Sequence, residues 1–193
     1  MPSLSFELQT VDVKKSLIQR FFRPLTLLML VTLSSFYLWT LYLAAHPNVT
    51  VAYQVYYIDK KTHYWAKANT ELLWPSSGVV TASDNSPYFS RAGWAKTASE
   101  GARVLVHSGG LFFNFSQVPK GPVRVQLSLS KSITEPVYLS LGNGNKVKLM
   151  PMGFEMLEAL IPAGAISPKL QHWEIETPAS LTIKQIAIQE LTS

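Results

Sequence analysis

The stretch PVRVQLSLS, Pro122 to Ser130, alternates without a break. Val123, Val125, Leu127 and Leu129 fall on one side, and Arg124, Gln126, Ser128 and Ser130 on the other. A period of two marks a strand with one face in a core and the other in water. The same alternation recurs outward in both directions. Upstream it is carried by ARVLVH (102–107) and GLFFNF (110–115), downstream by PVYLSL (136–141), KVKLM (146–150), EALIPA (158–163), HWEIE (172–176) and LTIKQIAIQEL (181–191). Turn-forming clusters separate them: SGG, VPKGP, GNGN, PAGAISP and TPAS. LGNGNKV is the strongest hairpin signal, because Asn-Gly pairs adopt the positive φ angles of tight turns. GFEMLEAL (153–160) is too short for a helix before Ile161-Pro162 and reads as a strand with a bulge. TVAYQVYYID (50–59) also alternates and reads as the first strand, with YWAK (64–67) returning. Eight or more short strands at roughly ten-residue spacing predict an all-β antiparallel sandwich of jelly-roll type.

Composition narrows the chemistry. The chain has 193 residues, is 47% hydrophobic and carries a formal charge of +5. It contains no cysteine, which removes disulfides, thiolate metal sites and Cys nucleophiles together. Its basic residues never form a tract beyond the membrane-proximal segment, so a nucleic-acid groove is not expected. The four histidines, His46, His63, His107 and His172, show none of the close pairings of a metal-ligand set. No nucleophile elbow, phosphate-cradling loop or dinucleotide fingerprint occurs, and no cofactor is expected. A glycosidase would need two carboxylates flanking the sugar, and no motif singles out a pair among the acids.

Ahead of the strands, Pro24 to Ala45 runs 22 residues without a charge. As a helix it would extend about 33 Å, enough for a hydrocarbon core of about 30 Å. Lys14, Lys15, Arg20 and Arg23 precede it, and no Lys or Arg follows until Lys60. The positive-inside rule then puts the N-terminus in the cytoplasm and the rest outside. A cleaved signal peptide is the competing reading, although signal cores are usually shorter. Residues 1–23 are either an amphipathic helix whose cations meet anionic lipid or a frayed tail. The expected order is thus a cytoplasmic segment 1–23, a transmembrane helix 24–45 and an extracytoplasmic sandwich 46–193, joined by a connection short enough to hold the sandwich near the bilayer.

Aromatics gather in the first half of the sandwich: Trp65, Trp74, Tyr88, Phe89 and Trp94. Exposed Trp and Tyr stack on sugar rings, whereas buried ones fill the ends of a sandwich. Trp94 with Glu100 and Arg103 is the leading polar-aromatic group for a ligand or partner contact, with Tyr88, Trp65 and Trp74 beside it. An inward Trp next to a Glu–Arg surface pair would give the same sequence.

From Phe89 to Leu191 the chain resembles the β-sandwich domains appended to bacterial inner-membrane glycosyltransferases and other polysaccharide-assembly proteins. The likeness rests on AGW (Ala92–Trp94), Glu100-Gly101, LFFNFSQVPKGPVRVQLSLS, GNGNKV, ALIPAG and LTIKQIAIQEL. It departs at EGARV, where a second aromatic is expected. The resemblance implies an envelope location and a link to glycan assembly, without implying catalysis. The expectation is a single-pass inner-membrane protein that is not an enzyme. It would assist glycan synthesis, transfer or export by binding glycan or docking on an integral membrane partner. The rival is an accessory subunit of another membrane complex, with the sandwich as a protein-protein module; a hydrolase stays open as a third class.

Overall fold

The computed structural model describes residues 4–46, 48–83 and 85–191, with side chains from Phe22 onward. The chain divides into two compact units, the second beginning at Val49. The side chains of Lys14, Lys15 and Arg20 lie outside the described residues; Arg23 is exposed.

The first unit is one helix, α1 (Leu4–Ala45), whose backbone runs through Pro24. The boundary at residue 24 is therefore one of composition, not of backbone. Phe22–Ala45 is 24 residues long and apolar, and by length and composition it can cross a bilayer. Within it Thr26, Thr32 and Thr40 each donate their hydroxyl to a carbonyl three or four residues back, at 2.8 Å. Their polar groups are thus satisfied inside the helix, as an apolar surround demands.

The second unit is an antiparallel sandwich. Its strands are β1 (Val79–Thr81), β2 (Arg103–Leu105), β3 (Ser108–Phe113), β4 (Val123–Leu129), β5 (Val137–Ser140), β6 (Lys146–Pro151), β7 (Met156–Ile161), β8 (Gln171–Glu176) and β9 (Leu181–Glu190). One sheet sets β1 and β2 along β9, followed by β4 and β7; the other runs β5, β8, β3. Strand β6 joins the two, pairing through Lys146–Leu149 with β5 and through Met150 and Pro151 with β7. The alternation of β4 holds: Val123, Val125, Leu127 and Leu129 are buried and the residues between them are not. They meet Phe113, Leu139, Trp173 and Ile175 from the opposite sheet in one core. Burying each such side chain contributes about 1.5–3 kcal/mol.

ARVLVH and GLFFNF do form strands, but each joins a different sheet: β2 pairs β9 and β3 pairs β8. The chain crosses between layers at His107, whose φ is +60°. Strand β7 pairs with β4 without interruption from Met156 to Ile161, so the bulge expected there is absent; the register shift falls at Ser128/Leu129 against β9.

The segment 50–59 is the main correction. It is not a strand but a helical turn, α2 (Val51–Tyr53), that widens into a π-helical turn over Gln54–Ile58. Thr50 caps it, its hydroxyl accepting from Tyr53 N at 3.4 Å. Ala52 and Val55, three apart, are buried against Ala66, Leu72 and Phe112 on the outer face of β3. That packing outweighs the strand preference of Val and Tyr, a preference that mostly measures packing in the first place. YWAK likewise forms no named strand.

Candidate functional site

The stretch from Ala92 to Leu105 folds back on itself. Trp94 bridges Leu105, and Ser99 exchanges both backbone bonds with Ala102 across Glu100 and Gly101. Both turn residues have positive φ, +53° and +74°, as a tight primed turn requires. Glu100 is therefore the exposed tip of a turn. Trp94 points inward, its indole N–H donating to Gly110 O at 3.0 Å and its ring 4.7 Å from Phe89. Arg103 is 0% exposed. Its Nε donates to Ala82 O at 2.8 Å, and Nη1 donates to Ala95 O at 2.7 Å and Lys96 O at 2.6 Å. The guanidinium also lies over Phe89, 5.2 Å from the ring centre. These bonds tie the folded-back loop to the first sheet, which keeps Glu100 and Arg103 apart in role: one a turn tip, the other an internal brace.

Tyr88 and Trp74 are also core residues, 5.1 Å apart between ring centres. The Tyr88 hydroxyl donates to Leu73 O at 2.6 Å and accepts from Asn69 at 2.9 Å; burial raises its pKa. The Trp74 indole N–H has no partner among the described residues. It sits in the wall of a cleft of about 460 Å³ that also takes in Phe115, Gln117, Gln189 and Glu190. Glu190 is already engaged there, accepting from Lys120 N and Gly121 N at 2.7 Å.

Of the six candidates, Trp65 alone combines an aromatic ring with a solvent-facing cluster. Tyr53 is 41% and Tyr57 51% exposed, and Trp65 is half-buried against them. Ring centres lie 4.9 Å apart for Tyr53–Tyr57, 4.8 Å for Tyr56–Tyr57 and 5.1 Å for Tyr57–Trp65. The π turn produces this grouping. Its wide closure, Asp59 N to Gln54 O at 2.8 Å, splays consecutive tyrosines to one side while Val55 anchors the other. Such turns recur at functional positions. In sequence the tyrosines read only as strand residues; a capping Thr50 followed by apolar Ala52 and Val55 three apart is the signal for the helical turn that groups them.

This aromatic ledge borders a cleft on the outer face of the second sheet. Four extended segments lie side by side there. Thr62 bridges Ser90, Ser90 N donates to Gly110 O at 2.9 Å, and β3 pairs β8 through Gly110–Glu174 and Phe112–His172. The neighbours of these positions, Lys60, Lys61 and Arg91, line the rim of a space of about 400 Å³, with Phe112, His172 and Glu174 on its floor. Arg91 links cleft and ledge. Its Nε donates to Thr62 O at 2.6 Å, and its guanidinium lies 5.4 Å from the Tyr56 ring centre. His172 and Phe112 are parallel within 1° at 4.5 Å. Gly110 leaves room for that stack, since a Cβ there would meet His172 Nε2 at 2.9 Å. Partial burial, which takes water from the charged imidazolium, lowers the His172 pKa; Glu174 opposes this and Lys61 adds to it.

The groove continues past Glu174 along β8 toward Tyr138, Glu176 and His107. Glu176 is ion-paired with Lys146, whose ammonium lies 4.9 Å from the Tyr138 ring centre. Glu174 and Glu176 are two apart on one strand, so they stand side by side. Glycoside hydrolysis uses carboxylates facing each other across the sugar, which a side-by-side pair does not provide. Among the described residues no three His, Asp or Glu side chains gather as a metal set.

No protein-family model matches the sequence, and no curated protein does. Among solved structures, the chain is similar to a family GH115 4-O-methyl-α-glucuronidase with specificity for decorated arabinogalactans, at 14% identity and a TM-score of 0.35. That similarity takes in 47% of this chain and 14% of the other, so the chain spans about one seventh of that protein's length. It is also similar to a family 6 carbohydrate-binding module studied by crystallography and calorimetry: 6% identity, 62% of this chain, 96% of that one, TM-score 0.41. A third similarity is to CsCBM6-3 from Clostridium stercorarium, solved with cellobiose: 9% identity, 58% of this chain, 93% of that one, TM-score 0.39.

Proposed function

We propose that this chain is a membrane-anchored glycan-binding protein without catalytic activity. The helix Phe22–Ala45 would tether the sandwich on the extracytoplasmic side of the bacterial inner membrane, where it would assist envelope glycan synthesis, transfer or export. The observation that carries this reading is the ledge of Tyr53, Tyr56, Tyr57 and Trp65 opening onto the groove along β8. Sugar rings offer C–H faces to aromatic rings and hydroxyls to charged side chains, and this surface presents both side by side. Large rings left half in water have a hydration cost that a bound apolar face would relieve. The test is a glycan array with the full chain in phosphatidylcholine nanodiscs. Saturable binding that weakens at least tenfold in Tyr57→Ala, with an unchanged melting temperature, supports the reading. No glycan binding, or binding indifferent to Tyr57 and Trp65, sinks it.

A second reading, contact with an integral membrane partner, is favoured by the β6–β7 hairpin. Met150, Met152, Met156 and Leu160 are exposed there and Phe154 is 92% exposed. Soluble surfaces seldom hold such a run of apolar side chains unless something covers it. A photocrosslinker at position 154 in cells should capture a glycan-assembly membrane protein under this reading. Capture of a subunit from another complex would favour the rival, a protein-protein module elsewhere in the membrane.

A further inference from the structure

The groove is not electrically neutral at its ledge end. Lys61 is paired with Asp59 at 3.2 Å, and Lys146 at the far end is paired with Glu176. Lys60 and Arg91 have no carboxylate partner among the described residues, and the Nη groups of Arg91 make no hydrogen bond there. Arg91 is nonetheless held, its Nε donating to Thr62 O and its guanidinium carbon 5.4 Å from the Tyr56 ring centre. A guanidinium with one edge anchored and the other free is preorganised for a planar or tetrahedral oxyanion. Lys60 carries a second observation. It sits at φ +53°, closing the π turn at a place where glycine would be cheapest, yet it bears a long cationic side chain.

We infer that this end of the groove recognises an acidic group on the glycan, so that the ligand is a uronic-acid-type polysaccharide. This rests on the glycan-binding reading above. Lys60 and Arg91 take the carboxylate, Tyr57 and Trp65 receive the sugar face, and the Glu174 carboxylate on the floor, unpaired among the described residues, accepts hydrogen bonds from sugar hydroxyls. A surface made only to meet anionic lipid would gain nothing from Glu174, which faces the same cleft.

The experiment titrates the full chain, in phosphatidylcholine nanodiscs, with galacturonate, glucuronate and mannuronate oligosaccharides and with their methyl esters. At least one acid form should bind tenfold or more tightly than its ester, and its affinity should fall with added salt. Lys60→Gly and Arg91→Gln should each bring acid and ester within about twofold, while Tyr57→Ala weakens both alike. Lys60→Gly is the fold control, because it relieves backbone strain and leaves the melting temperature equal or higher. If acid and ester bind equally and Tyr57→Ala still weakens them, the acidic preference is wrong and the glycan reading survives. If neither form binds, both fail. If phosphatidylglycerol vesicles compete with the oligosaccharide and Arg91→Gln abolishes vesicle binding, the cations serve the membrane and the inference is overturned.

Discussion

At the scale of single residues, Arg103 and Lys60 show how one kind of charge serves two ends. Arg103 is wholly enclosed, and its guanidinium donates to three main-chain carbonyls. Removing a hydrogen-bonded buried charge leaves those carbonyls unpaired, so Arg103→Ala should destabilise the fold by about 3–5 kcal/mol. Denaturant unfolding measures this, and Arg103→Lys should recover little, since an ammonium cannot span all three acceptors. Lys60, by contrast, sits at the surface in a left-handed conformation costing roughly 1–2 kcal/mol for a residue with a Cβ. Lys60→Gly should therefore raise stability by about 1 kcal/mol, seen as a higher midpoint in the same assay. In sequence both are simply basic residues near aromatics. In sequence Arg103 joins Trp94 and Glu100 as one polar-aromatic group, and nothing local says that Arg103 is enclosed and Glu100 a turn tip.

Elements show the same division between local pattern and context. Strand β4 is legible because its alternation matches the burial on one face of a sheet residue by residue; in β9 the match breaks at Lys184 and Gln185, both exposed, and resumes one residue out of step at Ile186. The hairpin at Leu141–Asn145 was legible too, with Gly144 at φ +85° as the Asn-Gly pattern anticipates. The 50–59 segment was not, because the same residues satisfy a period of two and a buried pair three apart. Only the waiting surface of Leu72, Ala66 and Phe112 selects the second. Gly93 marks how tightly the folded-back loop is seated: its φ is +81°, and a Cβ there would lie 1.4 Å from Ser108 O. Gly93→Ala should cost more than about 2 kcal/mol and lower the thermal midpoint, since neither the backbone angle nor the space admits a side chain.

Across the molecule, pH is the simplest global probe. The folded-state pKa of His172 lies below its ordinary value of 6.5, so the unfolded chain takes up this proton first as the pH falls. His172 therefore lowers stability as the pH drops from about 6.5 through its folded value, and contributes no further change below it. The groups facing the ring are Phe112, Glu174 and Lys61, with Lys60 and Arg91 on the rim. An acidic ligand in the cleft should favour the protonated imidazole, so affinity for a uronate oligosaccharide should rise between pH 7.5 and 5. His172→Gln should flatten that rise, which calorimetry at the two pH values checks. The apolar helix gives a separate measurement. Mass analysis of the protein from an envelope fraction should find Pro24–Ala45 retained; a chain starting near His46 would make the helix a cleaved signal.

What the amino-acid order determined by itself was the class of each part: an uncharged helix long enough for a bilayer, then a succession of half-buried strands. Both follow from short-range periodicity, which the chain carries wherever it goes. Tertiary structure alone decided which aromatics face water. Trp74, Tyr88 and Trp94 are drawn into the core, while Tyr53, Tyr57 and Trp65 are brought to the rim beside Arg91. Their chemistry is the same in sequence. What separates them is the pairing of segments tens of residues apart, from Thr62 through Ser90 and Gly110 to Glu174, and that pairing sets which side of each ring has neighbours.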